Sequence, residues 1–422
     1  MRIQSLSRRC LVKVAAAGVV ASNMSALDVL SQPALANVLA REGKSVILLW
    51  LAGGASQLET WDPKPGRRTG GPYAKIKTKV PGIEISELLP KMANQLDETA
   101  IIRSLNTKIA DHGQAYTLMD IGRIPEPGVH FPHLGSIIAH ELGQMDSQVP
   151  DFVYMYTQTE GRRQDSAGYL GARYNPMFLT DKMMPDDLHR LDAISVVDHH
   201  DRSALRDFMA KRFIRDLNNP SIGSHENAYS RVHGLMASDY LFDIGREPQA
   251  MRDHYGPTQF GQQCLAARRL VEAGVPFVKV ARAWWDSHGQ NFETHRELCA
   301  DLDHCMSALL EDLKQRGLLS KTLVITLGEF GRTPQINGSL GRDHFASAWS
   351  CTLSGCGIRG GTVYGKTDDD GHTVVDGEMK AGDLFATIFA ALGIEHDKEH
   401  MLGSRPIPLS DFGSKPCREV LA

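Results

Sequence analysis

The chain is 422 residues long, 42% hydrophobic and 23% charged, the composition of an ordinary globular protein able to bury a large core. Its formal net charge is −4, and the first 36 residues hold Arg2, Arg8, Arg9 and Lys13 against Asp28, so the remainder carries −7. An acidic body argues against nucleic acid as a partner.

Ser7-Arg8-Arg9-Cys10-Leu11-Val12-Lys13, running into the weakly apolar Val14–Ala21, reads as a twin-arginine export signal. The apolar run falls short of the ~20 residues of a spanning helix, and Ala34-Leu35-Ala36 offers a small-x-small cleavage site. The expected mature chain begins at Asn37, holds no transmembrane segment and resides in the periplasm or outside the cell. This export route carries proteins that are already folded, often around a cofactor. Of seven cysteines, Cys10 lies in the leader; the other six meet an oxidising compartment, where Cys351 and Cys356 could pair across a turn.

Beyond the leader, Ser45–Leu51 is a continuous apolar run ending in Gly53-Gly54, as a strand buried on both faces and followed by a functional loop would read. Thr99–Arg103, Phe152–Met155, Pro276–Val280 and Thr322–Leu327 repeat the pattern. Between them, helices are expected at Asp201–Leu217, Gln259–Ala273 and Phe292–Arg316, the last with the apolar stripe Leu298, Leu302, Cys305, Leu309 and Leu313. The alternation predicts a doubly wound, mostly parallel α/β sheet with helices on both faces. Residues from about 160 to 255 are richer in charge and histidine and read as a helical insertion or cap. Asp368-Asp369-Asp370-Gly371 reads as a solvated turn, with a calcium contact as the alternative.

In open α/β sheets, ligands sit beyond the carboxyl ends of the strands. Three clusters fall there: Trp285-Asp286-Ser287-His288-Gly289, Gly328-Glu329-Phe330-Gly331-Arg332-Thr333-Pro334 and Gly341-Arg342-Asp343-His344. Asp, Glu and His are the oxygen and nitrogen ligands that suit zinc or manganese, and glycines let the backbone turn tightly enough to converge them. Asp286, His288 and His344 are the candidate ligands, with Glu329 and Asp343 completing or orienting the shell. Arg332 or Arg342 could steady an anionic substrate group. The alternative for the arginines is a salt bridge, and for each Asp-x-His pair a hydrogen-bonded structural role.

These motifs, with Leu51–Pro65, Tyr255-Gly256, Cys264–Val275 and Asp383–Ile388, resemble those of the bacterial domain of unknown function 1501 family, placed in the alkaline phosphatase and sulfatase-like superfamily. The resemblance spans nearly the whole chain after the leader and implies a single alkaline phosphatase-like domain over 37–422. It also implies two metal ions, a serine, threonine or formylglycine nucleophile, and ligands at strand ends. Asp286, His288 and His344 fall where one metal's ligands are expected. For the second metal, Gly53-Gly54 and Glu329-Phe330 stand where carboxylates and a histidine or asparagine are usual, leaving Glu59 or Asp62 as substitutes. Asp111–Arg123 resembles the nucleophile turn and helix, with His112 at the nucleophile's place as acid, base or ligand. Ser56, Ser287 and Thr117 are alternative nucleophiles, and water activated by the metal is another.

The function expected is therefore that of an exported metal-dependent hydrolase acting on an anionic small-molecule or polymeric ester of phosphate or sulfate. The alternatives are a catalytically reduced envelope protein binding a glycan, sulfated polymer or partner protein through the same site, and a purely structural metal.

Overall fold

The computed structural model describes residues 43–144, 147, 149–156, 165–181, 183–185, 193–217 and 239–422. The export leader lies outside these residues, as does part of the 160–255 segment.

The strands expected from apolar runs pair in one central sheet. Its members are β1 (Ser45–Leu51), β2 (Thr99–Leu105), β3 (Phe152–Met155), β4 (Met177–Leu179), β5 (Phe277–Arg282), β6 (Thr322–Leu327), β7 (Trp349–Gly355) and β8 (Thr362–Tyr364), in the order β8-β2-β7-β6-β1-β5-β3-β4. All neighbours are parallel except the two pairs that β7 makes with β2 and β6. Strand β1 is buried at every position because both its faces are covered. Ile47, Leu49 and Leu51 pack toward α4 (Gln259–Glu272) and α5 (Asn291–Gln315), while Val46, Leu48 and Trp50 pack toward α1 (His112–Ile121), α2 (Leu134–Leu142) and α6 (Ala381–Ala391). The doubly wound arrangement follows from this two-sided apolarity. A further helix, α3 (Val196–Leu217), begins five residues before the expected Asp201, and β4 draws the 160–255 segment into the sheet edge.

Strand β7 escapes an apolar reading because Ser350, Thr352 and Ser354 alternate with Trp349, Cys351 and Leu353. Two of its hydroxyls are nevertheless satisfied across the strands: Thr352 Oγ1 meets Thr326 Oγ1 at 2.6 Å and Ser354 Oγ meets Thr99 Oγ1 at 2.8 Å, while Ser350 Oγ is buried without a hydrogen-bond partner. The turn disulfide does not form. Cys351 and Cys356 are both free and buried, as are the other four cysteines after the leader.

Parallel strands β1, β2, β5 and β6 end on one edge of the sheet, and β7, running the other way, starts there. Between β6 and β7 a short antiparallel pair sets His344 opposite Arg332. One edge thus collects the loops after β1, β2, β5 and β6 and the segment leading into β7.

Strand β5 carries Lys279 in its buried middle, only 1% exposed. Its Nζ donates to Tyr116 Oη and Asp120 Oδ1 at 3.0 Å and to both Asp165 oxygens at 3.2 Å, inside a box of Trp50, Tyr116 and Tyr154 rings. Burial and the neighbouring Asp165 charge raise the Asp120 pKa, while for Asp165 the opposing burial is outweighed by Lys279, His133 and Tyr116 together, which lower its pKa. Lys279→Met would strand two buried carboxylates without their ammonium, so urea denaturation should show a loss of about 3–5 kcal/mol. A loss below about 1 kcal/mol would contradict this account of the core.

Candidate metal centre

The loop after β1 owes its shape to two glycines. Gly53 has φ +104° and a Cβ there would lie 2.5 Å from the Asp286 nitrogen; Gly54 has φ +85° and a Cβ would meet the Phe330 ring at 2.7 Å. A side chain at either place would push apart the loops after β5 and β6. Helix α1 starts where Asp111 Oδ1 accepts from the Gln114 backbone N–H at 3.0 Å, and this cap sets His112 in the first turn over the same edge.

Three imidazoles surround Asp286. His288 Nε2 and His344 Nε2 each lie 3.1 Å from Asp286 Oδ1, and His112 Nε2 lies 3.2 Å from Oδ2. Each ring has its other nitrogen tied to an oxygen that can only accept. Nδ1 of His112 donates to Glu329 Oε1 at 3.0 Å, Nδ1 of His288 to Asp343 Oδ1 at 2.7 Å, and Nδ1 of His344 to the Ala110 carbonyl at 2.8 Å. Such outer partners fix the tautomer and the ring direction. His288 Nε2 and His344 Nε2 stand 3.0 Å apart. Phe330, fully buried, stacks on His344 at 4.3 Å and tilts against His112 at 5.0 Å, forming an apolar floor under both rings.

Hydrogen bonds to Asp286 and then to Glu329 outweigh burial and push the His112 pKa up to about 9. Burial alone would raise the Asp286 pKa, but His112, His344 and Arg332 together hold it far below the usual carboxylate range. Glu329 also accepts from the Gly53 N–H at 2.9 Å through Oε1, while its Oε2 is buried without a hydrogen-bond partner.

Of the residues predicted for this site, Asp286, His288, His344, Asp343, Glu329 and His112 are brought together. Arg332 touches the cluster from beneath through Asp286, and Arg342 ties the neighbouring loops together, each 0% exposed. Arg332 donates to Asp286 Oδ1 at 2.6 Å and to the Gly53 and Gly54 carbonyls. Arg342 pairs both Glu59 oxygens at 2.7 and 3.1 Å and bonds the carbonyls of Thr69, Thr333 and Pro334. With their N–H groups committed to the chain, both arginines act as braces and neither can meet a substrate, in contrast to the anion-steadying role the sequence suggested. Glu59 and Asp62 are likewise buried, Asp62 bonding Thr367, so the second metal's substitute carboxylates are engaged elsewhere.

Ser56 is also fully buried, away from the open cluster, and its backbone N–H donates to His295 Nε2 at 2.9 Å. Thr117 Oγ1 donates to the Gly113 carbonyl and Ser287 Oγ to Asn291 Oδ1. The Asp368 carboxylate accepts from the N–H groups of Asp370, His372 and Thr373, closing its own turn.

Sequence reasoning missed Phe330 as a support and His295 altogether. His295 does continue the α5 stripe, three residues before Leu298, and this spacing was the available signal. The chemical outcome is a half-open group of imidazoles and a carboxylate on the carboxyl edge of a mostly parallel α/β sheet, an arrangement suited to holding a divalent cation.

The family model described as a protein of unknown function, DUF1501, matches residues 43–421. The chain belongs to that family. No curated protein matches it. Among solved structures, it is similar to a sulfatase from Pseudoalteromonas sp., with 13% identity, 86% of this chain and 72% of the other covered, and TM-score 0.40. It is similar to a protein in the alkaline phosphatase superfamily from Vibrio parahaemolyticus, with 9% identity, 84% and 67% covered, and TM-score 0.39. A third is the phosphonate monoester hydrolase of Agrobacterium radiobacter, with 12% identity, 88% and 78% covered, and TM-score 0.37. Likenesses this distant say nothing about the reaction.

His295 gives a pH prediction. Burial lowers its pKa to about 4, and its ring stays neutral between the Ser56 N–H and the Asn291 carbonyl. Unfolded, it titrates near 6.5, so the unfolded chain binds the extra proton between about pH 6.5 and 4. The contribution to stability is full above pH 6.5 and falls as pH drops toward 4. Relative to His295→Gln, the wild type should lose about 2–3 kcal/mol more on going from pH 7 to 4.5, read by urea denaturation. Equal losses would refute the buried neutral ring.

Proposed function

We propose that this chain is an exported, divalent-metal-dependent hydrolase of phosphate or sulfate esters. The observation that carries the reading is the common orientation of the three imidazoles. Nδ1 carries a proton in each ring; His112, with its raised pKa, holds a second on Nε2 toward Asp286 Oδ2, whereas Nε2 of His288 and of His344 present lone pairs to Asp286 Oδ1 and to each other, an arrangement that repels itself unless a cation lies among them or these rings take further protons. Asp286 Oδ1, His288 Nε2 and His344 Nε2 form a triangle with edges of 3.0–3.1 Å. Ligand atoms about 2.0–2.1 Å from a tetrahedral zinc stand roughly 3.4 Å apart, so the residues fit such an ion closely.

Asp286, His288 and His344 would hold the cation, and Asp343 and the Ala110 carbonyl would keep the imidazoles aimed. Zinc or manganese suits this donor set better than calcium, which prefers oxygen ligands throughout. When bound, the ion supplies Lewis acidity for the ester oxygen and for an attacking water. His112, its ring 4.3 Å from that of His344, meets Asp286 through the other carboxylate oxygen, Oδ2, and is 41% exposed and backed by Glu329. It is placed to hold a proton at Nε2 and hand it to the leaving oxygen as the ester bond to phosphorus or sulfur breaks.

Support for export comes from the twin-arginine pattern of Ser7–Lys13. Among the described residues, no helix is long and apolar enough to cross a membrane.

A second reading, binding without turnover, is favoured by one observation: the hydroxyls of Ser56, Thr117 and Ser287 are buried or bonded within the chain. Assay of mature protein with aryl phosphate and aryl sulfate in zinc or manganese separates the two. Turnover is expected, falling about 10²–10⁴-fold in His112→Ala and to background in His288→Ala. A wild type inert with every metal would overturn the hydrolase reading and leave the binding one.

A further inference from the structure

Helix α5 buries Leu298, Leu302, Leu309 and Leu313, but two of its other inward positions are small. Ser307 and Ala308, both buried, leave room where the short helices Pro90–Ala93 and Gln249–Tyr255 come against α5. The result is a cavity of about 270 Å³, sized for a small ligand. Lys91, Asn94, Gln95, His254, His304 and Glu311 are in its wall, and no residue of the candidate centre is. His304 stands 13 residues beyond Asn291, about 20 Å of helix away from the loop that carries His288.

Positive charge in this cavity is left unanswered. Asp303 turns its two oxygens to the backbone N–H groups of Lys91 and Met92 at 3.0 and 2.7 Å, which fixes the start of the short helix against α5. The Lys91 ammonium is thereby set beside His304 and donates to its Nδ1. Burial, and then Lys91 itself, lower the His304 pKa, so the ring is a neutral acceptor that offsets none of the ammonium charge. Among the described residues Lys91 forms no ion pair, and the Gln95 side-chain amide has no hydrogen-bond partner. Glu311 is engaged in part. Its Oε1 accepts from Gln315 Nε2 at 3.2 Å and its Oε2 lies 3.7 Å from His254 Nε2, which leaves acceptor capacity on a carboxylate.

We propose that this cavity binds inorganic phosphate, with Lys91 as its counter-ion, the Gln95 amide as a second donor and Glu311 as acceptor for the phosphate O–H. An ammonium and an amide on separate residues suit a tetrahedral oxyanion. A planar carboxylate ligand is met best by the fork of an arginine, and none lines the cavity. Glu311 then selects among oxyanions. Sulfate carries no proton at neutral pH, and a phosphate monoester, with a second pKa near ~6, has mostly lost its last one. Both would meet the carboxylate with bare negative charge. Inorganic phosphate keeps one O–H as the dianion and can donate it. Binding here needs no ion and no reaction at the strand-end centre.

Titration calorimetry of the full mature protein with inorganic phosphate at neutral pH tests the site. One saturable binding event is expected, with sulfate and glycerol phosphate each weaker by about tenfold or more. Lys91→Met keeps the stem and the backbone N–H that meets Asp303, so it should keep its Tm and lose about tenfold or more in phosphate affinity. Glu311→Gln should narrow the preference for phosphate over sulfate. Asp286→Ala, at the distant centre, should bind phosphate as the wild type does. If Lys91→Met fails to fold, the wild type still decides: the His304 ring protons should shift in NMR spectra with phosphate and stay still with chloride. No saturable phosphate binding, or binding undiminished in Lys91→Met, would overturn the site. Binding lost in Asp286→Ala but kept in Lys91→Met would also overturn it, placing the phosphate at the strand-end centre. Sulfate or glycerol phosphate bound as tightly as phosphate would overturn the selection by Glu311 and the assignment to inorganic phosphate.

Discussion

Three histidine rings face one carboxylate in this protein because each has its far nitrogen held by an oxygen that can only accept. Glu329, Asp343 and the Ala110 carbonyl take the Nδ1 protons of His112, His288 and His344, and this leaves every Nε2 directed at Asp286. The constraint matters more than the nearness of the residues, since an imidazole free to turn could resolve its neighbours' lone pairs by donating to them. Once the tautomers are fixed, only added positive charge makes the arrangement favourable. The candidate cation site follows from that condition.

The loops that achieve it are far apart in the chain and are joined by buried charge. Arg332 bonds Asp286 and the carbonyls of the β1 loop, while Arg342 links Glu59 to the segment after β6. Pairs this deeply buried contribute little net stability after desolvation, yet leaving one member alone is costly. Their value lies in geometry: a planar guanidinium with several fixed donors can hold several carbonyls and a carboxylate at set distances. Rigid braces beneath give the edge a fixed interior.

Much of the fold was legible because apolar runs such as Ser45–Leu51 and Thr322–Leu327 must be buried on both faces, and the helix stripes Leu298 to Leu313 show which side each helix covers. The six residues of the cluster were legible for a related reason, since carboxylates and imidazoles just past such strands have one edge on which to meet. Strand β7 was hidden because Thr352 and Ser354 pair hydroxyls across the sheet, a solution visible only in three dimensions. Lys279 was hidden inside an apolar run for the same reason: the partners that make its burial tolerable, Asp120 and Asp165, lie on other elements. Direction was illegible throughout. Sequence placed Arg332, Arg342 and Ser56 near the chemistry, but which way each side chain points depends on Glu59, His295 and the Gly53-Gly54 turn.

The central claim is that Asp286, His288 and His344 surround a cation, and metal content tests it most directly. Mature protein purified without added metal and analysed by elemental emission should carry close to one divalent ion per chain, with Asp286→Ala and His344→Ala each near zero while remaining folded by circular dichroism. Protein that is metal-free as isolated, and that takes up neither zinc nor manganese on dialysis, would contradict it. The three rings would then have to be explained by protons alone.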